Sequence, residues 1–144
     1  MPLINSPRQN ETFRILVIDD EPDIVQSIRS VLEKRYDVDM ITDPRKALDN
    51  FKAGSYDLVL LDYRMPNVNG FQLYRYLARV DPSLTICFMT AYEIFESKRE
   101  KEDFEKLSPP VNANYIIKKP FTKQDLLEKI QQLLSSESGR HETM

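Results

Sequence analysis

The chain has 144 residues, with 20 basic and 23 acidic side chains and a formal net charge of −3. That length suits one domain with a single core, and the charge balance offers no overall attraction to nucleic acid or to an anionic membrane. One cysteine, Cys87, and one histidine, His141, exclude an internal disulfide and argue against a zinc site or Ser-His and Cys-His catalysis.

Met1 to Thr12 is polar and interrupted by proline, without the apolar run of a secretory signal. No stretch approaches membrane-spanning length. Cys87 lies in the apolar run Leu84 to Met89 and reads as a buried, inert thiol. A cytoplasmic protein of a reducing compartment is expected.

Phe13 to Ile18 predicts a first strand, ending in Asp19-Asp20-Glu21-Pro22, whose proline suits the first turn of a helix. That helix, about Asp23 to Arg35, carries Ile24, Val25, Ile28, Val31 and Leu32 at helical spacing. Val38, Met40 and Ile41 alternate with Asp37 and Asp39, as in a strand nearer a sheet edge. Asp43-Pro44 forms a cap and first-turn pair for a helix with Ala47, Leu48 and Phe51, closed by Gly54. Leu58-Val59-Leu60-Leu61, between Asp57 and Asp62, predicts a third strand buried on both faces. Beyond Met65-Pro66 and Gly70, Phe71 to Arg79 predicts a helix with Leu73, Tyr74 and Leu77 on one side, stopped by Asp81-Pro82. Leu84 to Met89 predicts a fourth strand, ending in Thr90-Ala91, and Tyr115 to Ile117 a fifth, ending in Lys118-Lys119-Pro120-Phe121. Thr122 caps a last helix whose apolar stripe is Leu126, Leu127, Ile130, Leu133 and Leu134.

Between the fourth and fifth strands, Glu96 to Asp103 contains no apolar residue. It is either a solvated helix or a mobile excursion. Its Glu, Lys and Arg favour the helix. The expected organisation is a folded unit over 13–135, a polar N-terminal tail over 1–12 and a polar C-terminal tail over 136–144. Five strands separated by helices, with connections too long for hairpins, imply an α/β three-layer sandwich with a parallel sheet covered on both faces.

If the first and third strands are neighbours, their ends lie about 5 Å apart. Asp19, Asp20 and Asp62 then form one cluster. Three carboxylates that close repel unless a cation joins them, and oxygen ligands with a phosphate suit Mg²⁺. Thr90 and Lys119 bring a hydroxyl and an ammonium to the same edge of the sheet. Asp62, with an ordinary carboxylate pKa of about 3.9, is ionised at neutral pH and able to attack a phosphoryl group.

These residues together resemble the receiver domain of two-component response regulators: Asp19-Asp20, Asp62 with Met65-Pro66 and Gly70, Thr90-Ala91, and Lys119-Pro120-Phe121, at the ends of successive strands. The resemblance implies a flavodoxin-like fold with five helices and strand order 2-1-3-4-5. It implies that Asp62 accepts phosphate from a sensor histidine kinase or phosphotransfer protein. Asp20, Asp62 and the Arg64 backbone carbonyl would bind Mg²⁺, with Asp19 assisting. Thr90 would bind the phosphoryl group and Lys119 pair with it, across a commonly cis bond to Pro120. The surface of the fourth helix, fifth strand and fifth helix would carry the signal to a downstream protein, with no direct contact to nucleic acid or membrane. Activity would be confined to Mg²⁺-dependent self-phosphorylation and autodephosphorylation at Asp62.

Two features depart from that pattern. Ile116 stands three residues before Lys119, where the family often has an aromatic, and the span from Thr90 to Lys119 is longer than usual. Lys118 would space Tyr115 correctly, but only Lys119 precedes Pro120, which favours Lys119. Arg64 and Tyr92 occupy places that in the family tune hydrolysis, and both are large enough to shield an acyl phosphate. A constitutive interaction module without phosphorylation is the alternative reading. An aspartyl phosphohydrolase of the haloacid dehalogenase type is disfavoured, because no second acid stands two residues beyond Asp62 or Asp19.

Overall fold

A computed structural model describes residues 12–65, 68–91, 102, 106 and 115–142, with side chains to residue 135. The N-terminal tail up to residue 11, Tyr92 and nearly all of the charged segment lie outside the described residues.

The strands of the main sheet are β1 (Arg14–Ile18), β2 (Asp37–Ile41), β3 (Leu58–Asp62), β6 (Thr85–Ala91) and β7 (Ile116–Lys119). They form a five-stranded parallel sheet in the order β2-β1-β3-β6-β7, which is 2-1-3-4-5 counted among the sheet strands. Strand β3 is central. Leu58, Val59, Leu60 and Leu61 are fully buried, and each such side chain contributes roughly 1.5–3 kcal/mol of burial free energy.

Alternation along β3 divides the core in two. Val59 and Leu61 join Phe88 and Ile116 on one face, covered by Ala47 of α2 (Arg45–Asn50) and by Leu73, Tyr74 and Leu77 of α3 (Gly70–Val80). Leu58 and Leu60 join Ile15, Val17, Cys87 and Met89 on the other. There Val25, Ile28 and Leu32 of α1 (Pro22–Leu32) pack beside Leu126, Ile130, Leu133 and Leu134 of α4 (Lys123–Glu142). The three-layer α/β architecture is therefore the one expected. Four helices fall among the described residues, and none is long and apolar enough to cross a membrane. Cys87 is buried, and burial pushes its thiol up to about 12, consistent with an inert side chain.

Several boundaries differ from the expectation. Helix α1 stops at Leu32 rather than Arg35, because Arg35 and Tyr36 both turn their amides back to the Leu32 carbonyl. Helix α2 ends at Asn50, with Phe51 already extended. Gly54 does not close it. Instead, Gly54 sits in the following turn at φ +83°, and its amide donates to Asp81 Oδ2 at 2.9 Å. Leu48, expected on the apolar side, is exposed. Strand β6 runs on to Ala91, so Thr90 lies within it.

The apolar stripe of α4 ends at Leu134, but its backbone remains helical to Glu142, within the stretch read as a tail. At its start, Asp125 N donates to Thr122 Oγ1 (3.0 Å) and Thr122 N to Asp125 Oδ2 (3.1 Å). This reciprocal cap matches the one expected of Thr122. A short antiparallel ribbon, β4 (Arg64–Met65) with β5 (Val68–Asn69), follows β3. Strands of two residues are too short for alternation to reveal.

Candidate functional site

The acids predicted to meet do meet at the carboxyl end of the sheet. Asp19 follows Val17 and Ile15 at every second position, and Asp62 follows Leu60 and Leu58 in the same way. Lys119 likewise follows Ile117. All three extend the columns of one sheet face past its last apolar layer. Lys118 belongs to the opposite alternation and is exposed. The parity of the strand thus explains why Lys119 is the lysine in the cluster.

Asp19 is fully buried. Its amide donates to the Ile41 carbonyl (3.2 Å), and its Oδ1 accepts the Glu21 amide (3.0 Å), which turns the chain into α1 at Pro22. Lys119 Nζ donates to Asp19 Oδ2 at 3.1 Å and to Asp62 Oδ1 at 3.3 Å. Asp20 is half-buried and completes a group of three carboxylates whose oxygens lie within 4.8 Å of one another. With a single ammonium against three carboxylates, the fully ionised cluster carries a charge of −2 (−3 + 1).

Burial first, and then this excess of negative charge, raise the pKa of Asp62 to about 6. Burial is the main cause and the Asp19 charge adds to it; Lys119 opposes both, and Asp20 raises the value further. Burial works against the protonated form of Lys119, but the charges of Asp62 and Asp19 outweigh it and raise its pKa. The donor set is all oxygen. It fits a hard divalent cation such as Mg²⁺ and would not select a soft one.

Thr90 adds a second polar group that suits an anionic ligand. It is 1% exposed, one strand over from Asp62, and its Oγ1 has no hydrogen-bond partner among the described residues. A buried hydroxyl without a partner costs about 1–3 kcal/mol. An anionic oxygen arriving at the cluster would supply the missing acceptor. Among the described residues Thr90 is therefore not satisfied by its own backbone, as a strand-end threonine often is.

Arg64 lies in β4, exposed, with its guanidinium carbon 5.8 Å from the centre of the Tyr63 ring. Ile116 is buried in the face shared with Phe88, and Tyr115 packs against both faces. The Lys119–Pro120 bond is cis. The sequence places Asp19 in the acid cluster, and the resemblance gives it an assisting place at the metal. The structure makes it the most buried acid of the cluster and the shorter of the two contacts to Lys119. The signal for that was available in the Ile15, Val17, Asp19 alternation.

A flavodoxin-like sheet with an acid cluster, a lysine and a threonine at its carboxyl edge defines a receiver-type phosphoryl-signalling domain. The response regulator receiver domain family matches residues 15–131, and the chain belongs to that family. The chain is 34% identical over 124 residues to Regulatory protein VanRB of Enterococcus faecalis, covering 85% of this chain and 53% of that protein. It is 31% identical over 123 residues to Response regulator ArlR of Staphylococcus saprophyticus, covering 84% and 52%. The chain thus spans about half the length of these curated relatives. Among solved structures, a CheY-like response regulator receiver domain protein from Methanospirillum hungatei superposes with a TM-score of 0.76 at 26% identity, covering 90% of this chain and 98% of that one. The signal receiver domain of an HD domain-containing protein from Pseudomonas fluorescens shares the fold, with a TM-score of 0.77 at 20% identity over 98% and 100%.

Proposed function

We propose that the chain acts as the phosphoacceptor receiver of a two-component system, with Asp62 as the acceptor. A phosphohistidine of a sensor kinase or phosphotransfer protein is the donor. An Asp62 carboxylate oxygen attacks phosphorus, the P–N bond breaks, and the electron pair leaves on the imidazole, which takes up a proton. The product is an acyl phosphate on Asp62.

The observation that carries this reading is the buried contact of Asp62 with a lysine already shared by Asp19, beside a threonine hydroxyl that has no acceptor among the described residues. Lys119 holds Asp62 ionised and is placed to neutralise charge on the transferring oxygens. The Thr90 hydroxyl would donate to one of them. Burial of Asp19 and Asp62 limits water at the reacting carboxylate. Mg²⁺ would be held by Asp20, Asp62 and the Arg64 carbonyl with help from Asp19, and it supplies neutralisation of phosphoryl charge.

No substrate is turned over beyond this self-modification and its hydrolysis. The phosphorylated protein acts in the cytoplasm on a downstream protein, through a face that includes β7 and α4, without touching nucleic acid or membrane itself.

The test is the intact mass after incubation with Mg²⁺ and acetyl phosphate, beside Asp62→Asn. One added phosphoryl on the parent, absent from the variant and from a metal-free sample, is expected. Equal labelling of parent and variant would reject Asp62 as acceptor. No labelling of the parent at any early time would favour a constitutive interaction module.

A further inference from the structure

The structure assigns Gly70 a positioning role: it sets the backbone that carries Asp62 at the height where the carboxylate meets Lys119 and the other acids. This rests on the reading of Asp62 as a metal ligand. A Cβ at Gly70 would stand 2.6 Å from the Tyr63 carbonyl oxygen, 3.3 Å from its carbon and 3.4 Å from the Asp62 carbonyl oxygen. All three are backbone atoms. No rotamer change relieves such contacts, so the chain itself has to shift.

What shifts is constrained on every side. Tyr63 N donates to the Met89 carbonyl at 2.9 Å, tying the peptide after Asp62 to β6. Arg64 pairs with Asn69 in the ribbon. Asn69 Oδ1 accepts the Phe71 amide (2.8 Å) and the Gln72 amide (3.4 Å), fixing the first turn of α3. Leu73 and Leu77 then anchor α3 in the core. The start of α3 therefore presses directly on the peptide that follows the acceptor, with only the absent side chain of Gly70 between them. A methyl group there lifts the Asp62 to Arg64 segment and moves Asp62 away from its partners.

The experiment titrates Mg²⁺ by calorimetry into the parent, Gly70→Ala, Asn69→Ala and Gly54→Ala, at a temperature where near-ultraviolet circular dichroism shows each to be folded. Gly54 has φ +83° and open space around its missing Cβ, at the opposite end of β3. Gly54→Ala therefore strains the fold without touching the site. Gly70→Ala is expected to weaken Mg²⁺ affinity by about tenfold or more, as when a metal ligand loses its support. Asn69→Ala, which loosens the same turn without adding an atom, should weaken it by a smaller factor. Gly54→Ala should lower Tm yet keep affinity within about twofold of the parent, as distant sites do.

Parent-like affinity in Gly70→Ala overturns the proposal, as does an equal loss in Gly54→Ala. Should Gly70→Ala fail to fold, parent-like affinity in Asn69→Ala overturns it instead. A parent that binds Mg²⁺ but gains no phosphoryl mass defeats the phosphoacceptor reading while the affinity pattern still upholds Gly70.

Discussion

At the amino end of the sheet, Asp57 and Asp81 accept from backbone amides; at the carboxyl end, Asp19 and Asp62 share one lysine. Asp57 Oδ2 accepts the Arg14 amide at 2.8 Å. Asp81 accepts the Gly54 amide (2.9 Å), the Ser83 amide (3.2 Å) and the Ser83 hydroxyl (2.8 Å). Both Asp81 oxygens are occupied, while Asp57 ties the start of β3 to Arg14 of β1. Asp62 has one described hydrogen bond, from Lys119, and Thr90 beside it has none. Burial is similar, 6% exposure for both Asp81 and Asp62, so burial does not distinguish the structural acid from the functional one. Unspent hydrogen-bonding capacity does.

This contrast can be broken at either end. The largest effect is expected at the carboxyl end. Lys119→Ala should slow acetyl phosphate labelling of Asp62 by about 10²–10³-fold, the scale of losing one preorganised electrostatic group. Its Mg²⁺ binding should persist, because the oxygen ligands remain. Labelling at the parent rate would remove Lys119 from the site.

Next is a dependence on pH in the metal-free protein. The folded pKa of Asp62, about 6, lies above its unfolded value near 3.8. The folded state therefore binds the proton more tightly, and ionising Asp62 penalises it. The penalty is absent below the unfolded pKa and complete above the folded one, so this group's contribution to stability falls as pH rises from about 4 to about 6. Asp62→Asn removes the penalty. Its stability relative to the parent should grow across that window by about 2 kcal/mol, read from urea melts at pH 4 and pH 7. Saturating Mg²⁺ should erase most of the difference by stabilising the parent alone. A difference that shrinks with rising pH would contradict the electrostatics described.

At the amino end, Asp81→Ala orphans the Gly54 and Ser83 amides and should cost about 2 kcal/mol of stability. Mg²⁺ affinity should stay at the parent value. A loss of affinity there would show that the two ends of the sheet are not independent. The smallest effect is at Tyr56, whose hydroxyl donates to Asp39 Oδ2 at 2.6 Å. Tyr56→Phe should lower stability by about 0.5–1 kcal/mol in the same melts and leave labelling of Asp62 unchanged.

Much of this was legible in the chain before folding. The apolar runs that precede Asp19, Asp62, Thr90 and Lys119 are local patterns, and those runs alone placed the four residues at or beside strand ends. Thr122 with Asp125 announced a helix start because capping is settled within four residues. The end of α1 and the role of Gly54 were not legible, since a turn back to the Leu32 carbonyl or a bond to Asp81 depends on neighbours rather than on propensity. The β4 to β5 ribbon escaped for lack of length.

The sequence by itself determined the parallel α/β fold and the cast of the site, because periodicity and strand-end chemistry are properties of short stretches. Tertiary structure alone decided how those residues share their contacts. It gave Lys119 to both Asp19 and Asp62, left Thr90 without a partner among the described residues, and brought Gly70 against the Tyr63 carbonyl. Lys119 and Asp19 are separated by 100 positions, and distances across separate strands are set only when the sheet assembles and the helices fix its register.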